Sequence, residues 1–474
     1  MSTNANVNKN KIGLVGCIIT SMGAIIGAGI FGALPAAINS VGHGVVIALI
    51  ASVIYILAQS IPNMYSNSVI PASGSFFLWA AKIIHPSAGL LMAFLNLLQP
   101  FMIAAFATLF ADYFITLIPS TSDYKIIISL TILMIYAVVA WFGNYTFVSI
   151  NSIFVILLLC AMFTYIIFGL AVIDIDKIDP VKIIKPGMSL TSFGTAIGLL
   201  FSTLSGGGTI SQISENIKNP RKTIPIAILI SPIIVSFIYI CMAIVTLGVM
   251  SDAELTTLAQ VGQKFLGPKL LTFFIVCGPL IGVLTAMAPV IMFSSAQIQA
   301  AADCGIYPNF VKRRNKYGIS PAILIFTIGF SMICVSTGIS YSLLLTIASF
   351  FQSISTTLNC LVPFFLYKKY PNACNCSRIF LNRYLVYVVA VFSFIYSGYL
   401  VISMILSLNK IIWLTVLAAI FIVTVYFVVR FRYCNRMDYS LMQNLKKPVT
   451  EWEEYERQCK IADSSNISKK ENLG

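Results

Sequence analysis

The sequence predicts an all-α membrane protein with twelve transmembrane helices, and three observations lead there. The 474 residues are 58% hydrophobic and only 10% charged, against about 25% charged in soluble globular chains. Apolar runs of about 20 residues, the length needed to cross a hydrocarbon core of roughly 30 Å, recur from near the start almost to the end. Charged residues, Pro and Gly gather in the gaps, and no gap has room for a sizeable soluble domain.

In order, the spans lie near 12–38, 44–66, 86–118, 125–142, 146–173, 192–212, 223–250, 269–301, 320–338, 341–367, 384–407 and 411–430. They divide the chain into an N-terminal tail (1–11), a first group of five (12–173), a second group of five (192–367), two further helices (384–430) and a C-terminal tail (431–474). An even number of spans puts both termini on one side. If that side is the cytoplasm, the inside segments hold 23 of the 30 basic residues, as the positive-inside rule requires. Both tails are therefore expected in the cytoplasm.

Several other readings fall away. The formal charge of +14 is spread over short loops rather than gathered on one domain, so nucleic acid is not an expected partner. The run from Ile12 to Phe31 is too long for a signal peptide's apolar region, and many spans follow it. Eleven cysteines without paired CxxC spacing and only two histidines, His43 and His85, give a metal site few ligands. Gly27 to Gly32 spell GxGxxG, but inside a membrane span with no acidic residue nearby, which is the wrong context for a dinucleotide. Inside the spans ionisable side chains are nearly absent: Asp112 lies near the outer end of span three and Asp303 near the inner end of span eight. A proton relay or voltage sensor built on membrane carboxylates is not expected.

Spans one and six are interrupted. Span one carries Gly23, Gly27, Gly29 and Gly32; span six carries Gly206, Gly207 and Gly208 after Ser205. Three consecutive glycines leave a helix with high backbone entropy and no side chains to hold it, so local unwinding is expected. Unwound backbone inside a membrane survives only where protein or a watery cavity satisfies it. Small residues packing helix on helix give the alternative explanation. Each interrupted span opens a group of five, however, which is the pattern of an inverted repeat with a binding site at the breaks.

Four segments carry a resemblance: GAIIGAGIFGALPAA at 23–37, PASGSFFLWA at 71–80, ENIKNPRKTIPIAI at 215–228 and AAADCGIYP at 300–308. In order and spacing they resemble the amino acid, polyamine and organocation transporters, and among them most closely the bacterial antiporters that include arginine/agmatine exchange. The resemblance implies a LeuT-type 5+5 inverted-repeat core with broken helices one and six, and an exchanger of an amino acid for a related amino acid or amine. Ion-coupled symport is the alternative, and catalysis is not expected. No cofactor is called for; the expected partners are the substrate and the lipid bilayer of a bacterial inner membrane, and a homodimer is left open.

Carried over residue by residue, the resemblance puts the substrate carboxylate at the amides around Ile25, Gly27, Ala28 and Gly29, where a half-helix start favours an anion. The ammonium would meet carbonyls around Ser202 and Ser205. Selectivity would fall to Asn96, Gln99, Ala104, Ala107, Gly208, Val290 and Thr356. Two tryptophans that embrace the guanidinium in the arginine exchanger correspond here to Ser202 and Val290, and the acidic residue of its span six corresponds to Gly208. Arginine is therefore an unexpected substrate. Span five has no lysine of the kind that replaces sodium in some relatives, and Ser294 and Ser295 are weak sodium candidates; no resident metal is expected. Glu215 and Arg221 read either as solvated loop charges or as a gating pair. The C-terminal tail reads as a solvated, partly disordered segment containing one short helix, with Thr450 and Glu453 as its capping box; a regulatory plug is the alternative.

Overall fold

The computed structural model describes residues 12–27, 29–142, 145–174, 189–250, 255–377, 382–407, 413, 417, 420–421, 424–430, 432 and 441–471. Among them every regular element is helical, and the one strand-like contact is a parallel bridge between Ile12 and Ile217. Eight stretches are long and apolar enough to cross a bilayer. Leu14–Val69 holds spans one and two; Pro86–Leu117, Pro119–Trp141, Ile153–Leu170, Pro220–Val249, Pro268–Asp303, Tyr341–Lys369 and Arg383–Leu406 hold spans three, four, five, seven, eight, ten and eleven. Span nine is a 16-residue helix, Pro321–Ser336, span six is divided, and span twelve is described only in part, at 413, 417, 420–421 and 424–430. Large apolar side chains such as Phe237, Ile325, Ile333 and Val388 point outward, 67–70% exposed. Such a surface suits lipid better than water.

Span one consists of Leu14–Ile26 and Gly29–Val41. Span six is an α-helix over Leu190–Leu204 that tightens into a 3-10 helix over Ser205–Asn216, starting at the glycine run. Span three shows a break that the apolar pattern does not announce: Pro86–Asn96 and Pro100–Leu117 are joined by a turn. Pro100 accounts for it by lacking the N–H that a continuous helix would need there. Carbonyls freed at the break of span one, and by Pro35 inside its second half, are met by tyrosines. Tyr239 donates to Ile25 O (3.1 Å) and Ile26 O (3.3 Å), and Tyr113 to Phe31 O (2.8 Å).

The four segments behind the resemblance are packing devices here. Gly74 has φ +69°, and a side chain there would sit 2.6 Å from Ala300 Cβ. This lets helix Ser75–Trp79 lie on span eight, where Phe77 N donates to Gln297 Oε1 (2.7 Å). Asn219, at φ 49°, precedes the helix Pro220–Val249, so span seven begins at Pro220, not near 223. Thr223 Oγ1 then donates to Lys218 O (2.7 Å). Tyr307 donates to Ala93 O (2.9 Å), tying the end of span eight to span three.

The C-terminal tail differs most from expectation. Thr450–Glu471 forms one helix, and Trp452, 2% exposed, packs with Tyr65, Trp79, Leu366 and Tyr370. Glu453 N donates to Val449 O (3.2 Å), so the chain one residue upstream meets the first turn in place of the expected box between Thr450 and Glu453. The tail's high charge conceals an apolar face, and that face is docked.

Candidate functional site

The two broken spans meet at their breaks. A side chain at Gly206 would lie 2.3 Å from Ala24 O and 3.0 Å from Ile25 N; one at Gly27 would lie 2.2 Å from Ala286 Cβ, and one at Gly29 2.6 Å from Thr203 Cβ. Spans six and eight thus clasp the interruption of span one, and its glycines serve close packing as well as unwinding. This narrows the expected anion-binding amides. Gly27 N donates to Gly23 O (3.2 Å), and Ile25 lies within the helix Leu14–Ile26, so neither presents a free N–H. The donors left over are those of the first turn of Gly29–Val41, which have no intrahelical partner. Ala28 lies outside the described residues.

Span six is joined to span ten by side chains. Gln352 Nε2 donates to Ser205 Oγ (2.8 Å), Ser205 Oγ donates to Ser202 O (2.8 Å), and Thr356 Oγ1 donates to Gln352 O (2.9 Å). Ser205, Gly208 and Thr356 share the wall of a cavity of about 20 Å³ with Gln59, Asn63 and Phe76, room for a water molecule. A side chain at Gly208 would come 3.2 Å from Asn63 Nδ2.

The other expected residues do not line this cavity. Ser202 is 9% exposed and its hydroxyl donates to Leu199 O (2.7 Å). Val290 is half-buried against the core, and Ala104 and Ala107 are fully buried in it. Gln99 sits in the turn of span three, where its carbonyl accepts from Met102 N (2.9 Å). Asn96, on the last residue before that turn, is buried with its Nδ2 unpartnered.

Sequence reasoning missed Gln59, Asn63, Gln352 and Tyr239. Gln59 and Asn63, with Asn67, form a buried amide stripe at four-residue spacing on span two, a period visible in the sequence. Gln352 stands one turn before Thr356. Tyr239 gave no signal, being one tyrosine in an apolar span.

A larger cavity of about 780 Å³ opens on the face carrying Lys82, Arg314 and Lys447, with Ser295 and Asp303 also on its wall. Burial lowers the pKa of the Lys82 amine, whose Nζ donates to Asn444 O (2.7 Å). Ser294 faces elsewhere: it is fully buried and its hydroxyl has no partner. The two carboxylates named within the spans are paired, Asp112 with Lys125 and Asp303 with Arg314 (3.1 Å). The Glu215 side chain lies outside the described residues, while Arg221 stacks on Tyr455, 3.4 Å from the ring centroid.

An apolar helical bundle whose unwound segments meet inside it is the architecture of an integral membrane transporter rather than of an enzyme. Its sequence places it more closely: residues 12–429 match the amino acid permease family, and the chain belongs to that family. It is 28% identical over 317 residues to an uncharacterised protein of Methanocaldococcus jannaschii, covering 65% of this chain and 72% of that one. It is 25% identical over 317 residues to the methylthioribose transporter of Bacillus subtilis (61% and 66%). With the branched-chain amino acid permease of Lactococcus lactis it shares 24% over 355 residues (69% and 76%). The chain thus spans between 66% and 76% of the length of these relatives.

Proposed function

We propose that this permease is a secondary active exchanger of small neutral amino acids, trading one against a related amino acid or amine. It would use a LeuT-type core of two inverted five-helix repeats within twelve spans, with both termini in the cytoplasm. The observation that carries the selectivity is the chemistry beside the break of span six. Gln59, Asn63, Ser205, Gln352 and Thr356 present amides and hydroxyls, and among the described residues no charged side chain lines that cavity. Ser202 and Val290 offer no aromatic face to a guanidinium. Phe201 does not replace one, because it is fully buried against Tyr55, with ring centroids 4.4 Å apart. The substrate carboxylate would meet the first-turn amides of Gly29–Val41, and the unpartnered amide of Asn96 is a further donor.

A thermal-shift screen of the purified protein against the twenty amino acids and common amines tests this, because a ligand at about 100 times its Kd stabilises the folded state by about 2.7 kcal/mol. Neutral amino acids are expected to raise Tm, and arginine and agmatine to leave it unchanged. A second reading, sodium-coupled symport, is favoured by one observation: the buried hydroxyls of Ser294 on span eight and of Thr20 and Ser21 on span one have no partners. A Tm that rises with sodium but not with choline would support it.

A further inference from the structure

The C-terminal tail touches elements far apart in the chain. Tyr455 carries the Arg221 guanidinium on its ring, 3.4 Å from the centroid, and Arg221 opens span seven, five residues after the 3-10 half of span six ends. One residue on, the Glu456 carboxylate accepts from Asn372 N (3.0 Å), Asn372 Nδ2 (2.7 Å) and Ala373 N (2.6 Å). It thereby caps the short helix Pro371–Asn375 that follows span ten. Trp452 fills an apolar pocket between span two and that same segment. Asn444 O accepts from Lys82 Nζ, between spans two and three, and Asn444, Lys447 and Val449 close one side of the 780 Å³ cavity.

We propose that residues 441–461 form an autoinhibitory latch across the cytoplasmic ends of the spans. Transport by inverted repeats proceeds by rocking one group of helices against the other around the site. A segment fastened at once to the start of span seven, to the loop between spans two and three, and to the chain after span ten opposes that motion. The latch must let go at one end for the two groups of helices to move against each other. Its fastening at Arg221 is a single stacked contact. The proposal rests on the alternating-access reading and on the cytoplasmic placement of the tail.

The test uses the full-length protein, a chain ending at Ser440, and the full-length double variant Tyr455→Ala/Glu456→Ala, each in proteoliposomes. The probe is a radiolabelled mixture of alanine, serine, valine, isoleucine and leucine. Removing the latch, or its contacts alone, is expected to raise the initial rate by about tenfold. Equal rates in all three forms overturn the proposal. The double variant keeps the whole chain, so a truncation that fails to fold leaves the comparison standing. The ratio of rates is read the same way under exchange or symport. Failure of the exchange reading would appear separately, as uptake that preloading does not stimulate.

Discussion

At the scale of single residues, the glycines of span six divide into one that packing requires, Gly206, and two, Gly207 and Gly208, that meet only side-chain ends. Gly206 faces the Ala24 carbonyl at 2.3 Å from where a side chain would begin, whereas Gly208 faces Asn63 Nδ2 at 3.2 Å across a cavity. Gly206→Ala should therefore cost about 1–3 kcal/mol or more through forced backbone movement and yield little monodisperse protein on size-exclusion chromatography. Gly208→Ala should fold normally and alter only the ranking of substrates. A normal elution profile for Gly206→Ala would count against this packing of spans one and six. Gly29→Val belongs with Gly206, since the added atoms meet Thr203, and it should lose stability along with binding. Tyr239→Phe leaves Ile25 O and Ile26 O without their hydroxyl, and a buried group so orphaned costs about 1–3 kcal/mol. Thermal unfolding should show a clear fall in Tm; an unchanged Tm would mean that water replaces the hydroxyl there.

Elements explain why the interruptions were legible and the site less so. The glycine runs of spans one and six announce themselves, because consecutive glycines weaken a helix wherever it is placed. The turn in span three also had a local cause in Pro100, but a lone proline in an apolar run is compatible with either a kink or a break, and packing decides between them. Which amides remain free at a break depends on hydrogen bonds that close only in the fold: Gly27 N is taken by Gly23 O, which removes it from the expected anion-binding amides. On the proposed function, arginine is excluded by what Ser202 of span six and Val290 of span eight lack. A cation over a desolvated aromatic face is stabilised by about 2 kcal/mol or more, and Ser202 and Val290 provide none. Isothermal titration with arginine and with agmatine should show no micromolar binding. Micromolar affinity for either would point to another aromatic pair, such as Phe76 and Phe293, whose rings lie 5.5 Å apart.

For the whole molecule the question is what drives transport. Asp112 and Asp303 are paired near the ends of their spans, and neither histidine lies inside a span, so the described residues place no side chain at mid-membrane to take up and release a proton near neutral pH. Vesicles preloaded with unlabelled neutral amino acids should then take up label far faster than empty ones at matched pH without sodium. Equal uptake by empty vesicles, lost when choline replaces sodium, would instead assign coupling to Ser294 and the hydroxyls of span one. The sequence alone determined the solvent, the helical class, the two breaks and the permease family, because apolar runs, charge spacing and glycine clusters act locally and leave a periodic trace along the chain. The tertiary structure decided what depends on partners distant in sequence. Gln352 reaches Ser205, Tyr239 serves span one, Ser294 and Ser295 face different surroundings, and a tail that reads as solvated is docked by Trp452 and Glu456. Those contacts join residues up to hundreds of positions apart, and no local pattern records which side chain a buried polar group will meet.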